Sequence, residues 1–251
     1  MKKKIYSYAA NFFEKVPSLL SKKPTHDKNW GVGQKVLPSI SIKDDHVTID
    51  NFRNFTWHEV EERTPENYEK TSFHSSHING VDVVISHFSN VEAIAHVFLL
   101  FKIKDQDPIA ISIEARLEQN QNFSPWKGLW GNFELIYVAA AYNDIIPIRK
   151  DIRKETVYQY PLLVTAKQSK DLFLLLSNEM NQLKNEPRFY NTLVHNCANS
   201  VTNDMERLTS FTFPHIITSF EPGELDKIMY DMNIINKEET LHATREKHRI
   251  K

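Results

Sequence analysis

The spacing of hydrophobic and polar positions divides the chain into two regimes. Between about residues 46 and 164 the apolar positions either alternate or run on in β-branched stretches, as strands do. "HVTIDNF", His46–Phe52, alternates. "VDVVISHF", Val81–Phe88, is mainly apolar and β-branched and follows the turn signal Asn79-Gly80. "AIAHVFLLFKI", Ala93–Ile103, and "IAISIEARL", Ile109–Leu117, flank the turn formers of Lys104–Pro108 and predict an antiparallel hairpin. "FELIYVAAAYNDIIPIR", Phe133–Arg149, reads as one or two further strands, and "VYQYPLLV", Val157–Val164, as another. The period then becomes helical. Gln168–Pro187 reads as a helix that Ser169 or Asp171 can cap and Pro187 closes. Ala198–Phe211 and Glu221–Ile235 are two more helical stretches. Strands come first and helices after, which predicts an α+β fold with an antiparallel sheet packed on helices.

The same pattern sets the expected domain bounds: an amphipathic N-terminal helix and linker over 1–28, a single domain over 29–236, and a charged tail over 237–251. Ile5, Tyr8, Ala9, Phe12, Phe13 and Val16 recur at helical spacing among lysines. Such a helix either packs on the domain or lies on an anionic membrane surface through residues 5–16. Asn11, Glu14 and Lys15 break its apolar centre, unlike a secretory signal. No run reaches the ~18 apolar residues of a membrane span. The tail reads as a short surface helix or a frayed end.

Composition narrows the function classes. Of 251 residues, 41% are hydrophobic and 25% charged, the balance of a soluble globular protein. A net charge of -1 provides no basic field for nucleic acid. Six glycines and no phosphate-cradling loop argue against a nucleotide. His74 and His77 form an "HSSH" pair without a third ligand at metal spacing, so the pair reads as loop. No metal and no cofactor are expected.

One cysteine excludes an internal disulfide and raises a different possibility. Cys197 follows Asn196 where a helix begins, and a helix N-terminus favours the thiolate. Its N–H groups, with the Asn196 amide, can hold an oxyanion. A nucleophilic thiol needs a base. His195 is near in sequence but stands two positions before Cys197 in a turn. His96 is the stronger candidate, an ionisable side chain inside an apolar strand. Folding the hairpin sets His96 opposite Glu114–Arg116, and an even register puts Glu114 or Arg116 on its face. A carboxylate there would orient the ring. The aromatic run Trp126–Phe133 is either a core and loop anchor or the lining of an acyl groove.

The strands "VTIDNFRNFTWH", "VDVVISHF", "AIAHVFLLF" and "ISIEAR", with "GLWGNFELIYV", "FYNTLVHNC" and "PGELDKIMYDMNII", resemble a family of bacterial envelope proteins. Its members carry the N-terminal periplasmic domain of the lipoprotein N-acyltransferase Lnb. The likeness covers most of the chain beyond about Trp30 and is most specific in "SIEAR" and "YNTL" plus "NC". It implies a permuted papain-like, NlpC-type thiol fold. Cys197 would take an acyl chain as a thioester, with His96 as base, Glu114 as its orienting carboxylate and Asn196 near the oxyanion. Arg116, Tyr190, Asn191 and Trp130 would bind substrate. It also implies a lipoprotein or lipid-linked substrate in the cell envelope or periplasm, although this chain shows neither the transmembrane helices of the lipid-modifying members nor an export signal. The alternatives are a thiol amidase or peptidase acting on cell-wall peptide, a non-catalytic envelope binding module, and a cytoplasmic location.

Overall fold

The computed structural model describes residues 23–58, 66–88, 93–193 and 196–251. The proposed helix over residues 5–16 and the ring of His195 lie outside these residues. Eight strands form one sheet among the described residues: β1 Ser39–Lys43, β2 His46–Arg53, β3 Tyr68–His74, β4 Ile78–His87, β5 Ala95–Ile103, β6 Ile109–Arg116, β7 Glu134–Ala141 and β8 Thr156–Pro161. Their order is β1-β2-β7-β6-β5-β4-β8, with β3 on the other edge of β2. Every pairing is antiparallel except one parallel contact, Arg53 with Ala140, which joins β2 to β7. Among the described residues seven helices accompany the sheet: α1 Pro125–Leu129, α2 Tyr142–Pro147, α3 Ala166–Asn185, α4 Cys197–Leu208, α5 His215–Phe220, α6 Leu225–Asp231 and α7 Leu241–His248. The class is α+β, as the element order predicts.

The central strands are apolar on both faces because both faces are covered. On one, Val83, Ile85, Val97, Leu99 and Ile111 pack against Phe173 and Leu176 of α3 and Val201 and Met205 of α4. On the other, Val84, Phe98, Leu100, Ile136 and Val138 meet Ile145 and Ile146 of α2. Two-sided burial removes the alternation that a half-exposed strand would show.

Several elements differ from the expected pattern. Asn79-Gly80 is no turn: β4 runs through it, with a register shift between Ile78 and Gly80 that marks a bulge. The run Phe133–Arg149 is not two strands. It leaves the sheet at Ala141 and becomes α2, followed by a π-helical turn over Ile148–Ile152. The anchor is Asp144, fully buried, which accepts from Arg53 Nε and Nη2, the Phe55 N–H and Trp57 Nε1, each at 2.9 Å. A long apolar run cannot reveal such a helix by period. Helix α3 starts earlier than expected, at a capping box between Thr165 and Gln168. Ser169 instead bonds back to Thr165 O at 3.1 Å, and Asp171 pairs with Lys167. The strands β1 and β3 were not apparent from the pattern.

The charged tail docks. Arg245 of α7 holds the buried Asp226 of α6 through Nε at 2.6 Å and Nη2 at 3.0 Å, and Ile250 N–H bonds Val157 O at 2.9 Å beside β8. Among the described residues no helix is long and apolar enough to cross a membrane.

Phe173 ties α3 to the sheet, edge-on to Phe73 at 5.5 Å and to Phe101 at 5.2 Å. Phe173→Ala should lower unfolding free energy by about 3–5 kcal/mol in denaturant titration.

Candidate active site

The turn at Asp105, with φ of 60°, sets the β5–β6 register at Phe98↔Ser112 through Phe101↔Ile109. Extended by two residues, that register puts Glu114 opposite His96, on the face of Phe98. The ladder stops at Phe98–Ser112, although β5 continues back to Ala95 and β6 on to Arg116. The strands part there, and the N-terminus of α4 enters beside the opening. Cys197 is the first residue of α4 and touches the apolar core on one side. It also lines a cleft of about 800 Å³, together with His96, Glu114, Arg149 and Tyr190.

Cys197 and His96 share a hydrogen bond, and the main-chain N–H groups of Val97 and Ala198 are directed at the sulfur. The His96 ring stacks on Phe98 at 5.7 Å and 26°. Its Nε2 lies 2.7 Å from Ser112 Oγ, and Ser112 Oγ donates to Glu114 Oε1, also at 2.7 Å. The direct His96–Glu114 contact is long, 3.5 Å, so the hydroxyl carries the shorter link. With Nε2 so engaged, Nδ1 is the nitrogen left for the sulfur. Arg149 then closes the chain, with Nη2 3.3 Å from Glu114 Oε1 and Nη1 3.6 Å from Glu155 Oε2. The π-helical turn aims Arg149 inward, and its guanidinium lies 5.1 Å over the Phe98 ring.

These charges tune one another. Burial pushes the Cys197 thiol up, but the His96 cation and its hydrogen bond, with the two N–H groups, bring it below its ordinary value. Burial and Arg149 press His96 down, yet the Cys197 anion and Glu114 raise it above its ordinary value. Glu114 is pushed up by burial and held well below the carboxylate range by His96, then by Arg149 and Arg53. Both shifts favour charge separation across the Cys197–His96 pair.

Other expected site residues fall in different places. Arg116 does not line the cleft. It is 1% exposed and spends its guanidinium on Gln34 O, Lys35 O, His26 Nδ1 and the face of Trp30. Glu114, not Arg116, is the neighbour of His96. Asn196 lines the cleft, but its amide is committed: Oδ1 caps α4 by accepting from Asn199 N–H at 2.6 Å, and Nδ2 donates to Thr192 O at 2.6 Å. That makes it a helix cap and leaves it poorly placed as an oxyanion donor. Asn191 Oδ1 accepts from Leu193 N–H, and Asn191 is not part of the cleft wall. Trp130 stands 69% exposed away from the cleft. Tyr190 does reach the site. Its hydroxyl accepts from the Cys197 N–H, and burial, then the Cys197 anion, hold the phenol well above its ordinary value, so it stays neutral. Tyr190 and Thr192 pack on Gly128, where a Cβ would collide with Thr192 Oγ1 and touch the Tyr190 ring at 3.5 Å.

Ser112 and Arg149 escaped the sequence reading. Each had a faint signal, a hydroxyl two positions before Glu114 on a core strand and a lone cation ending the apolar "IIPIR". Among the described residues no group of three His, Cys, Asp or Glu side chains is placed to hold a metal ion. The His74 and His77 rings lie 5.3 Å apart beside a loop that Asp45 organises by accepting from Ser75 and Ser76.

Residues 64–236 match the family described as the Lnb N-terminal periplasmic domain. The chain belongs to this family. The matched stretch contains His96, Ser112, Glu114, Arg149, Tyr190 and Cys197, so the whole cluster lies within the family domain. Membership points to the cell envelope. No curated protein and no solved structure matches the chain.

Two measurements follow from this geometry. Iodoacetamide labelling of Cys197 depends on thiolate, so its rate should rise through a midpoint below the ~8.5 of an ordinary thiol. Removing His96 by His96→Ala should carry the midpoint up, because burial is then opposed only by the Val97 and Ala198 N–H groups. Asn196→Ala should cost about 1 kcal/mol of unfolding free energy through the lost cap, and Asn196→Asp should restore it only in part, because a carboxylate caps the helix but faces Thr192 O.

Proposed function

We propose that this protein is a thiol acyltransferase of the cell envelope, with Cys197 as the acyl-carrying nucleophile. The observation that carries the reading is the Cys197–His96 hydrogen-bonded pair at the tip of α4, facing an open cleft. The thiolate attacks an ester carbonyl carbon. The tetrahedral oxyanion takes the Cys197 N–H and the Tyr190 O–H, which in the resting site bond to each other. His96 passes its proton to the leaving oxygen as the C–O bond breaks, leaving a thioester. An acceptor amine then attacks the thioester, His96 takes the amine proton, and the thiolate departs.

The cleft supports an acyl substrate. Val32, Ile94, Phe123 and Phe220 are exposed large hydrophobics, and all four line it. These apolar side chains suit a lipid tail, beside a wall that is otherwise largely polar. A lipoprotein or another lipid-linked molecule is the substrate class in this reading, and the periplasm its compartment. The order of a strand histidine before a helix-tip cysteine supports a permuted papain-like core.

One observation favours a second reading, amide hydrolysis of cell-wall peptide. The amide-rich run Gln119, Asn120, Gln121 and Asn122 lines the same cleft and suits a polar chain. Intact-mass analysis of the protein incubated with a diacylated lipopeptide decides between them. Acyl transfer predicts an added acyl mass on Cys197 that hydroxylamine removes and Cys197→Ala abolishes. Cleavage of muropeptides without any acyl adduct would support hydrolysis instead. Neither product, with a thiol that labels only after unfolding, would reduce the protein to a binding module.

A further inference from the structure

Ser112 lies between the histidine and the carboxylate, where a thiol–imidazole site more simply has a direct bond. It is fully buried on β6, opposite Phe98, at the last rung before the strands part. Its face of the sheet carries His96 and Glu114, and its hydroxyl is 2.7 Å from each. A hydroxyl has one proton to give, and a carboxylate can only accept. Ser112 therefore donates to Glu114 Oε1 and accepts from His96. That acceptor requires a hydrogen on Nε2 of the ring.

We infer that Ser112 is a positioning residue whose hydroxyl fixes His96 in the Nε2–H form, so that the Nδ1 lone pair faces the Cys197 thiol. This rests on the thiol–imidazole reading and adds the residue that selects the tautomer. Ionisation moves one proton, from Sγ to Nδ1, and the Ser112 and Glu114 protons stay where they are. Without the hydroxyl, Nε2 faces Glu114 Oε1 only at 3.5 Å, too long to choose between the ring's two orientations. The charged groups around the ring are Cys197 at the tip of α4, Arg149 on the π-helical turn and Glu114 on β6. Removing the serine deletes none of these charges, though it takes a donor from Glu114 as well as an acceptor from His96. An effect on the ring therefore reports the hydrogen bond and not a lost charge.

Three substitutions separate the hydroxyl from packing. Ser112→Ala removes it. Ser112→Thr and Ser112→Val add nearly the same bulk, but only threonine keeps a hydroxyl. The readout is the pH dependence of Cys197 alkylation in the full chain. Ser112→Ala should move the midpoint up by about one unit and slow labelling at pH 7 about tenfold. Ser112→Thr should stay near the wild-type midpoint, and Ser112→Val should follow alanine. A wild-type midpoint retained in Ser112→Ala overturns the inference, as does a threonine variant that behaves like valine. A second measurement does not depend on these variants folding. In Cys197→Ala at pH 9, where the ring is neutral, the His96 nitrogen-15 shifts should show hydrogen on Nε2. Hydrogen on Nδ1 overturns the assignment. A wild-type thiol with an ordinary midpoint would sink the acyl-transfer reading itself, which is a different result from either of these.

Discussion

The site depends on two paired strands separating before they end. β5 and β6 hold their ladder from the Asp105 turn to Phe98 and Ser112, then diverge while each stays paired to its outer neighbour. A continuous ladder would have occupied the Val97 N–H and closed the gap between His96 and Glu114. Divergence directs that N–H at the Cys197 sulfur and leaves a cleft between the two walls. Because the register persists past the last rung, His96 and Glu114 still share a face, within reach of the hydroxyl of Ser112.

Charge in this buried space is arranged in alternation. Cys197 meets His96, then Glu114, then Arg149, then Glu155, and the Cys197 and His96 shifts favour the same alternation. Each ion loses water on burial, and each is offset by an opposite neighbour. Truncating one member leaves another uncompensated, so the cluster behaves as a unit. The end of α4 is held by neutral groups instead. Asn196 caps it, while Asn199 donates to Leu193 O and Ser219 Oγ and accepts from Thr218 Oγ1. An acidic cap would have competed with the Cys197 sulfur for the partial positive charge of the helix end. Neutral amides anchor the turn and leave that charge to the sulfur.

The parts legible in the sequence are those where residue type alone restricts the chemistry. A lone cysteine after asparagine at a helix start, and a histidine inside an apolar strand, stand out whatever the fold. The Asp105–Pro108 turn made the hairpin legible too. Ser112 was hidden because a serine in a strand is ordinary until its partners are known. Asn196 misled for the opposite reason: its amide can cap a helix or bind an oxyanion, and its type does not say which. Arg116 looked as well placed as Glu114 because both lie at even spacing. The structure separates them, since segment 26–35 passes over β6 and takes the guanidinium, leaving the carboxylate to the histidine.

By itself, then, the sequence determined what short-range physics controls: the strand and helix periods, the hairpin, the start of α4, and the class of the fold. It also contained enough motif for family membership. Tertiary structure decided where the β5–β6 ladder stops, which side chain meets His96, that Arg149 arrives from a π-helical turn, and that Phe133–Arg149 bends out of the sheet around Asp144. Those outcomes depend on contacts between residues tens of positions apart. Their energies come from burial and from pairing with particular partners, neither of which is written in a local pattern.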